Sequence, residues 1–190
     1  MILQNNIILY HGSYTEVQRI DLSLCADGKD FGRGFYLTTD YDQAARFVKT
    51  AVGKAEKNGM KGVMPSAGFV SFFKYIIKND ASIFEFKDAD REWLHCVVAH
   101  RRAGLFVSEF EKWQNCDIMA GKIANDTTNT LITNYINGAY GPVESDSADS
   151  IVMKLLLPDR LKNQICFRTE KAIQNLMFIE SKQVILYETK

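Results

Sequence analysis

The sequence contains little that would cross-link the chain, bind a metal or anchor it in a membrane. Only three of its 190 residues are prolines, and its four cysteines form no Cys-x-x-Cys pair, which excludes a zinc ribbon and a thioredoxin-type redox motif. No apolar run approaches the roughly 20 residues of a membrane span, and the first residues lack the pattern of a secretory signal. We therefore expect a cytoplasmic protein with no membrane partner and no metal site. The cysteines are expected to be buried free thiols, at Cys25, Cys96, Cys116 and Cys166.

The balance of charge gives no overall electrostatic reason to expect a nucleic-acid partner. The 23 basic residues match the 23 acidic residues, so the molecule as a whole has no electrostatic attraction to nucleic acid, and only a local basic patch would provide one. Hydrophobic residues make up 46% of the chain, which is enough to fill one sizeable core. We predict a single domain over residues 1–190.

Short β-type runs alternate with helical ones along the chain. Helices are predicted to follow Asp40 and Asp90, which we expect to be N-caps, and to cover about residues 126–136, 147–157 and 169–176. Residues 53–68 contain Gly, Lys and Met and are predicted to form a mobile surface loop. Because strands and helices are interspersed without a strict βαβ period, the pattern favours an α+β fold. The predicted strands are Ile7–Tyr10, Gly34–Thr38, Gly68–Ile77, Ile83–Phe86, Cys116–Ile123, Gln164–Arg168 and Gln183–Tyr187.

One segment with residue types that are unusual for a core ends the first predicted strand. In Tyr10–Ser13 (YHGS), the imidazole of His11 and the hydroxyl of Ser13 flank the unhindered backbone of Gly12. Such a group at a strand end can hydrogen-bond a polar ligand that lies close to the main chain. His11 also has a plain structural interpretation, as a histidine whose hydrogen bonds are satisfied within the fold.

A second unusual segment spans Asp30–Asp40. Its Arg33 lies between two glycines, so it can bind a phosphate bidentately or simply lie exposed in a loop. Tyr36 follows in a predicted strand, where it faces away from its neighbours Phe35 and Leu37. We therefore expect the ring of Tyr36 to line a cleft.

Both segments resemble a family of bacterial ADP-ribosyltransferase-like domains that share a YHGS start and a GFYLTT segment, here Tyr10–Ser13 and Gly34–Thr39. The resemblance covers nearly the whole chain, since it extends to Trp93-Leu94, Asp117–Thr128 and Gln164–Ala172. More distantly, the chain is similar to the diphtheria-toxin and poly(ADP-ribose) polymerase branch, whose signature is His, Tyr and Glu on three successive core strands of a split β-sheet. The resemblance implies a split antiparallel sheet surrounded by helices, with NAD bound in the cleft between the two half-sheets.

The resemblance also implies roles for individual residues in binding NAD as a co-substrate. His11 would hydrogen-bond a ribose hydroxyl, and the backbone of Gly12, next to Ser13, would hold the nicotinamide carboxamide. The ring of Tyr36 would stack on the nicotinamide, which is cationic in NAD and gains from a π-face. Arg33 would contact the pyrophosphate.

The third signature position departs from the family pattern. Gln164 stands where the polymerases carry glutamate, and an amide can orient a ribose hydroxyl but cannot act as a base. Gln164 is equally explained as the first residue of a strand. Glu170 is the rival acid, although a glutamate that opens a helix is favoured there by the helix dipole.

The activity implied by the resemblance is a mono-ADP-ribosyltransferase that modifies an intracellular macromolecule, either protein or nucleic acid. The family suggests a toxin or effector in bacteria, with a small antitoxin-like protein as a further partner. Because the glutamate is missing, two alternatives stay open: an NAD glycohydrolase, and a non-catalytic NAD- or ADP-ribose-binding or protein-interaction module on a decayed transferase scaffold.

Other conspicuous residues favour structural interpretations. Gly121-Lys122 lacks the preceding glycine and following hydroxyl of a P-loop, which excludes a nucleoside triphosphatase of that type. His95 and His100 lack the His-Glu-x-x-His spacing and are expected to be structural or to face a partner. Asp126–Thr128 is expected to cap a helix, with a substrate role as the alternative.

Overall fold

The computed structural model describes residues 2–124, 126–156 and 161–186. Its strands are β1 (Ile8–Ser13), β2 (Phe35–Leu37), β3 (Ala67–Tyr75), β4 (Ile83–Glu85), β5 (Ile118–Lys122), β6 (Asn163–Phe167) and β7 (Leu176–Ile185). Its helices are α1 (Tyr41–Lys57), α2 (Arg91–Arg101), α3 (Val107–Phe110), α4 (Asp126–Ile136), α5 (Asp146–Leu155) and α6 (Glu170–Ile173), with a short 3-10 helix at Leu22–Leu24.

The strands form two sheets. One sheet has the order β1-β3-β7 and is antiparallel, and the other has the order β2-β6-β5-β4. This confirms the predicted α+β class, but the expectation of an entirely antiparallel arrangement is wrong, because β4 and β5 are parallel. The chain between these two strands contains α2 and α3, and a crossover of that length lets consecutive strands run in the same direction.

The apolar core occupies the space between the sheets and the outer face of each sheet. Leu9 of β1 and Phe35 of β2 belong to the cluster between the sheets. On the outer face of the second sheet, Trp93 of α2 contributes to a helix-covered cluster. On the outer face of the first sheet, Val48 of α1 packs in one cluster with Val70 of β3. The two sheets are therefore held face to face, with α1 against one of them and α2 against the other.

Both predicted N-caps are confirmed. The carboxylate of Asp40 accepts the N–H of Gln43 at 2.9 Å, and that of Asp90 accepts the N–H of Trp93 at 2.9 Å. These bonds satisfy backbone donors that the first turn of a helix leaves without partners. The cap at Asp40 fixes where α1 begins after β2, and it thereby sets how closely α1 approaches the end of β1.

Some predicted boundaries are wrong. Helix α1 continues to Lys57, so Gly53 is helical and the predicted loop over 53–68 is shorter, because the buried stripe of the helix extends as far as Ala55. Strand β7 begins at Leu176, earlier than the predicted Gln183, because β3 pairs with it along its whole length. Tyr187 at the end of that prediction and residue 157 at the end of a predicted helix lie outside the described residues.

The expectation of buried thiols holds for half of the cysteines. None of the four forms a disulfide, and Cys96 and Cys166 are buried, whereas Cys25 and Cys116 are partly exposed. The described part of the chain includes no helix with the length and apolar character needed to cross a bilayer.

Candidate functional site

The two sheets meet at a backbone bridge between β1 and β2 and separate beyond it. Tyr10 donates its N–H to the carbonyl of Thr38 at 2.9 Å and accepts the N–H of Thr38 at 3.0 Å. If the antiparallel pairing of Tyr10 with Thr38 continued, Gly12 would pair with Tyr36. The carbonyl of Tyr36 accepts the Nδ1–H of His11 at 2.8 Å rather than the N–H of Gly12. Since peptide groups alternate in direction along a strand, the N–H and C=O of Gly12 point the same way as those of Tyr10, away from β3 and into the gap.

His11 presents a hydrogen-bond acceptor at this gap. Burial lowers the pKa of His11, so the ring is neutral near pH 7. The single ring hydrogen is on Nδ1, because that nitrogen faces the carbonyl of Tyr36. Nε2 therefore keeps its lone pair and has no hydrogen-bond partner among the described residues. The ring also packs against Phe35, with centroids 4.3 Å apart, which fixes its orientation.

Gly12 is buried, and packing requires a glycine at this position. A Cβ at this position would lie 2.2 Å from the carbonyl oxygen of Ala44 in α1, so no larger residue fits without moving the helix. Ser13 follows at the end of β1, with its Oγ 3.5 Å from the N–H of Thr15. This contact is long, and it leaves the hydroxyl hydrogen of Ser13 available to a ligand.

Tyr36 is fixed at both the ring and the hydroxyl. Its hydroxyl accepts the N–H of Phe31 at 2.9 Å and donates to the carbonyl of Gly32 at 2.7 Å. Burial of the phenol raises the pKa of Tyr36, so the hydroxyl stays protonated. The ring is half-buried and packs against the cluster that contains Phe31 and Trp93 on the outer face of the second sheet.

Gln164 lies on the same face of the second sheet as Tyr36. Tyr36 pairs directly with Cys166, and Gln164 is two residues from Cys166 along β6, so the two side chains project in the same direction. The side-chain amide of Gln164 donates to Asp30 at 2.7 Å and to the carbonyl of Lys122 at 3.2 Å. His11, Tyr36 and Gln164 thus lie on β1, β2 and β6, and β2 is bridged to β1 and paired with β6.

Arg33 lies apart from this group. Its exposed guanidinium donates to the carbonyls of Leu22 and Ser23 in the short 3-10 helix, at 3.2 and 2.7 Å. Arg33 lines a surface cavity of about 580 Å³ together with His100 and Arg168. None of the other candidate residues lines this cavity, so Arg33 is the candidate that the fold does not bring to the gap between β1 and β2.

The remaining candidates have the structural settings that the sequence favoured. His95 lies between two carboxylates, with Nδ1 2.9 Å from Glu109 and Nε2 2.8 Å from Asp149, in the wall of a second cavity of about 620 Å³. Glu170 is the exposed first residue of α6, and the hydroxyl of Thr169 caps that helix. Helix α4 begins at Asp126, so Asp126 and Thr128 lie in its first turn.

A family model described as "Protein of unknown function (DUF3990)" matches residues 7–178. The chain belongs to the DUF3990 family. The matched range of this DUF3990 chain includes every residue of the candidate group, from His11 on β1 to Gln164 on β6. A comparison with curated proteins returns no match.

Two polar residues of the DUF3990 chain beside the gap had no role in the sequence-based prediction. Asp30 is 8% exposed and holds Gln164. Gln43 lies in the first turn of α1, next to the Ala44 carbonyl that touches Gly12, and its Oε1 is buried without a hydrogen-bond partner. The only sequence signal was position: Asp30 opens the segment that contains Arg33, and Gln43 follows an N-cap by three residues.

Proposed function

We propose that this DUF3990 chain transfers ADP-ribose from NAD to a nucleophile on an intracellular macromolecule and releases nicotinamide. The observation that carries the proposal is the arrangement of the gap. A histidine, a tyrosine and a glutamine lie on the bridged or paired strands β1, β2 and β6, at the place where the two sheets separate. Apart from the glutamine in place of glutamate, this order of residue types on neighbouring strands is the one that the resemblance to ADP-ribosyltransferases leads us to expect.

The groups at the gap suit the nicotinamide riboside part of NAD. The N–H and C=O of Gly12 point away from β3, and a carboxamide can pair with both, since it has a donor and an acceptor side by side. Oε1 of Gln43 is buried without a partner in the turn of α1 next to Gly12, and it would provide a further acceptor for the carboxamide NH₂. Nε2 of His11 can accept a hydrogen bond from a ribose hydroxyl. The exposed part of the Tyr36 ring supplies a π-face for the cationic nicotinamide ring.

The reaction needs little beyond positioning. The bond between the ribose C1′ and the nicotinamide nitrogen breaks, both electrons leave with nicotinamide, and the acceptor nucleophile forms a bond to C1′ and loses a proton. Such a reaction passes through an oxocarbenium-like state, as glycoside chemistry generally does. Holding the leaving group and orienting the sugar therefore contribute most of what the protein can supply.

The proposal is tested by following both products of the reaction. Purified protein is incubated with NAD labelled in the adenosine part, with and without bacterial lysate, and nicotinamide release and label on macromolecules are measured. We expect label on macromolecules only with lysate, and we expect both signals to fall in His11→Ala. Exposed Gln183→Ala on β7 is the matched control and should behave like the wild type.

The other outcomes identify the alternatives. Nicotinamide release without lysate and without labelled macromolecule would indicate an NAD glycohydrolase. Tight NAD binding with no release in either condition would indicate a non-catalytic binding module, the alternative that the amide at Gln164 favours, since an amide cannot act as a base. Absence of NAD binding would refute the proposal altogether.

A further inference from the structure

The amide of Gln164 has one orientation in the fold. Its Nε2 lies 2.7 Å from Oδ2 of Asp30 and 3.2 Å from the carbonyl oxygen of Lys122. Both neighbours are acceptors, so the nitrogen rather than the oxygen must face them, and both amide hydrogens are used. The amide oxygen, Oε1, has no hydrogen-bond partner among the described residues.

Asp30 is itself held from several elements. Its Oδ1 accepts Nε–H and Nη2–H of Arg101 at the end of α2, at 3.1 and 2.5 Å, and its Oδ2 also accepts the N–H of Ala124 at 3.1 Å. Arg101 in turn donates to Asn129 of α4 at 2.7 Å. The carboxylate is therefore paired with a cation and fixed in direction, and rotating it toward another partner would break several of these bonds at once.

We propose that Asp30 is a positioning residue that holds the Gln164 amide with its oxygen toward the ligand, so that this subsite takes a neutral hydroxyl donor such as a ribose hydroxyl. This inference rests on the proposed function. A glutamate at position 164 would place a carboxylate oxygen against Oδ2 of Asp30, where Nε2 now lies at 2.7 Å, and like charges at that distance repel. The amide at Gln164 is thus matched to Asp30.

The test exchanges the two partners. In Gln164→Glu two carboxyl groups face each other, and in Asp30→Asn two amide groups do, so each single variant is expected to bind NAD about tenfold more weakly at pH 8. The double variant again pairs an amide donor with a carboxylate acceptor, but the Lys122 carbonyl and the Ala124 N–H keep mismatched partners, so it should bind about tenfold more weakly than the wild type rather than the roughly hundredfold that additive losses would give. Exposed Asp27→Asn and Gln183→Glu are the matched controls and should bind NAD normally.

The pH dependence separates positioning from a general structural role. Crowding by Asp30 raises the pKa of the carboxyl introduced by Gln164→Glu, so at about pH 5 that carboxyl keeps its proton and can donate as the amide did. The binding defect of Gln164→Glu should therefore shrink as the pH falls from 8 to 5, and that of the double variant should not change. Arg101 of α2 is bonded to Asp30, and Lys29 of the same loop and His100 of α2 interact with it electrostatically; all three are the same in every variant.

The failure of this inference can be told apart from the failure of the proposed function. If the wild type binds no NAD, the proposed function is wrong. The pairing is then judged from free energies of unfolding, where the loss in the double variant should be smaller than the sum of the two single losses. Additive losses in the double variant would overturn the positioning role of Asp30. If Asp30→Asn does not fold, NMR on the wild type decides: slowed exchange of the Gln164 side-chain amide hydrogens supports the inference, and free exchange refutes it.

Discussion

Removing the hydroxyl of Tyr36 is expected to damage the fold as well as the site. Tyr36→Phe keeps the ring but deletes the acceptor for the N–H of Phe31 and the donor to the carbonyl of Gly32. Phe31 has 0% exposure, so its N–H would be left buried without a partner, at a cost of about 1–3 kcal/mol. We expect Tyr36→Phe to lower the free energy of unfolding by about 2 kcal/mol. Tyr36→Ala also removes the ring and should cost about 3–5 kcal/mol.

Urea unfolding followed by circular dichroism measures these losses. A loss of about 2 kcal/mol corresponds to a Tm about 4–8 °C lower for a chain of this size. Tyr14→Phe is the matched control, because the Tyr14 hydroxyl has no hydrogen-bond partner among the described residues, and it should change stability by less than about 0.5 kcal/mol. If Tyr36→Phe is as stable as Tyr14→Phe, the Tyr36 hydroxyl does not stabilise the backbone at Phe31 and Gly32. NAD titration at a temperature where all variants are folded then shows whether the ring alone supports binding.

Three further changes test the packing, the ionisation and the orphaned acceptor near the site. Gly12→Ala should cost about 1–3 kcal/mol of stability in urea unfolding, since its Cβ would lie 2.2 Å from the Ala44 carbonyl. Burial lowers the pKa of His100 from 6.5 to about 4, so between pH 6.5 and about pH 4 the unfolded chain binds a proton that the folded chain does not. The free energy of unfolding therefore falls as the pH is lowered through this range. His100→Gln should lose less stability than the wild type over the same range. Gln43→Leu removes a buried acceptor without a partner and should stabilise the fold by about 1 kcal/mol while weakening NAD binding in calorimetry.

The residues that form the gap could be found from local patterns in the sequence. The α+β class followed from interspersed strands and helices, and the N-caps at Asp40 and Asp90 followed from residue type and position. The alternation of a strand also predicted correctly that Tyr36 faces away from Phe35. These features depend on neighbours within a few residues, which is the range over which sequence patterns carry information.

The pairing of distant segments could not be predicted in the same way. Gln164 meets Asp30 across 134 positions of the chain, and nothing in the residues around either of them indicates the other. The direction of β4 relative to β5 depends on how α2 and α3 cross over the sheet, and the early start of β7 depends on the length of β3. Arg33 was predicted either to contact a phosphate or to lie exposed in a loop, and its exposed guanidinium binds the carbonyls of Leu22 and Ser23, which lie ten or more positions earlier in the chain.

A single segment fixes all three signature groups. Residues 30–36 hold the Gln164 amide through the Asp30 carboxylate, pin the Tyr36 hydroxyl by the backbone of residues 31 and 32, and orient His11 through the carbonyl of Tyr36. The segment is in turn tied to α2 by the contact between Asp30 and Arg101. The acceptor nitrogen of His11, the ring of Tyr36 and the amide oxygen of Gln164 therefore take up their positions together. Any change that releases this segment from α2 should weaken ligand binding through all three residues at once, because each of them is hydrogen-bonded to it.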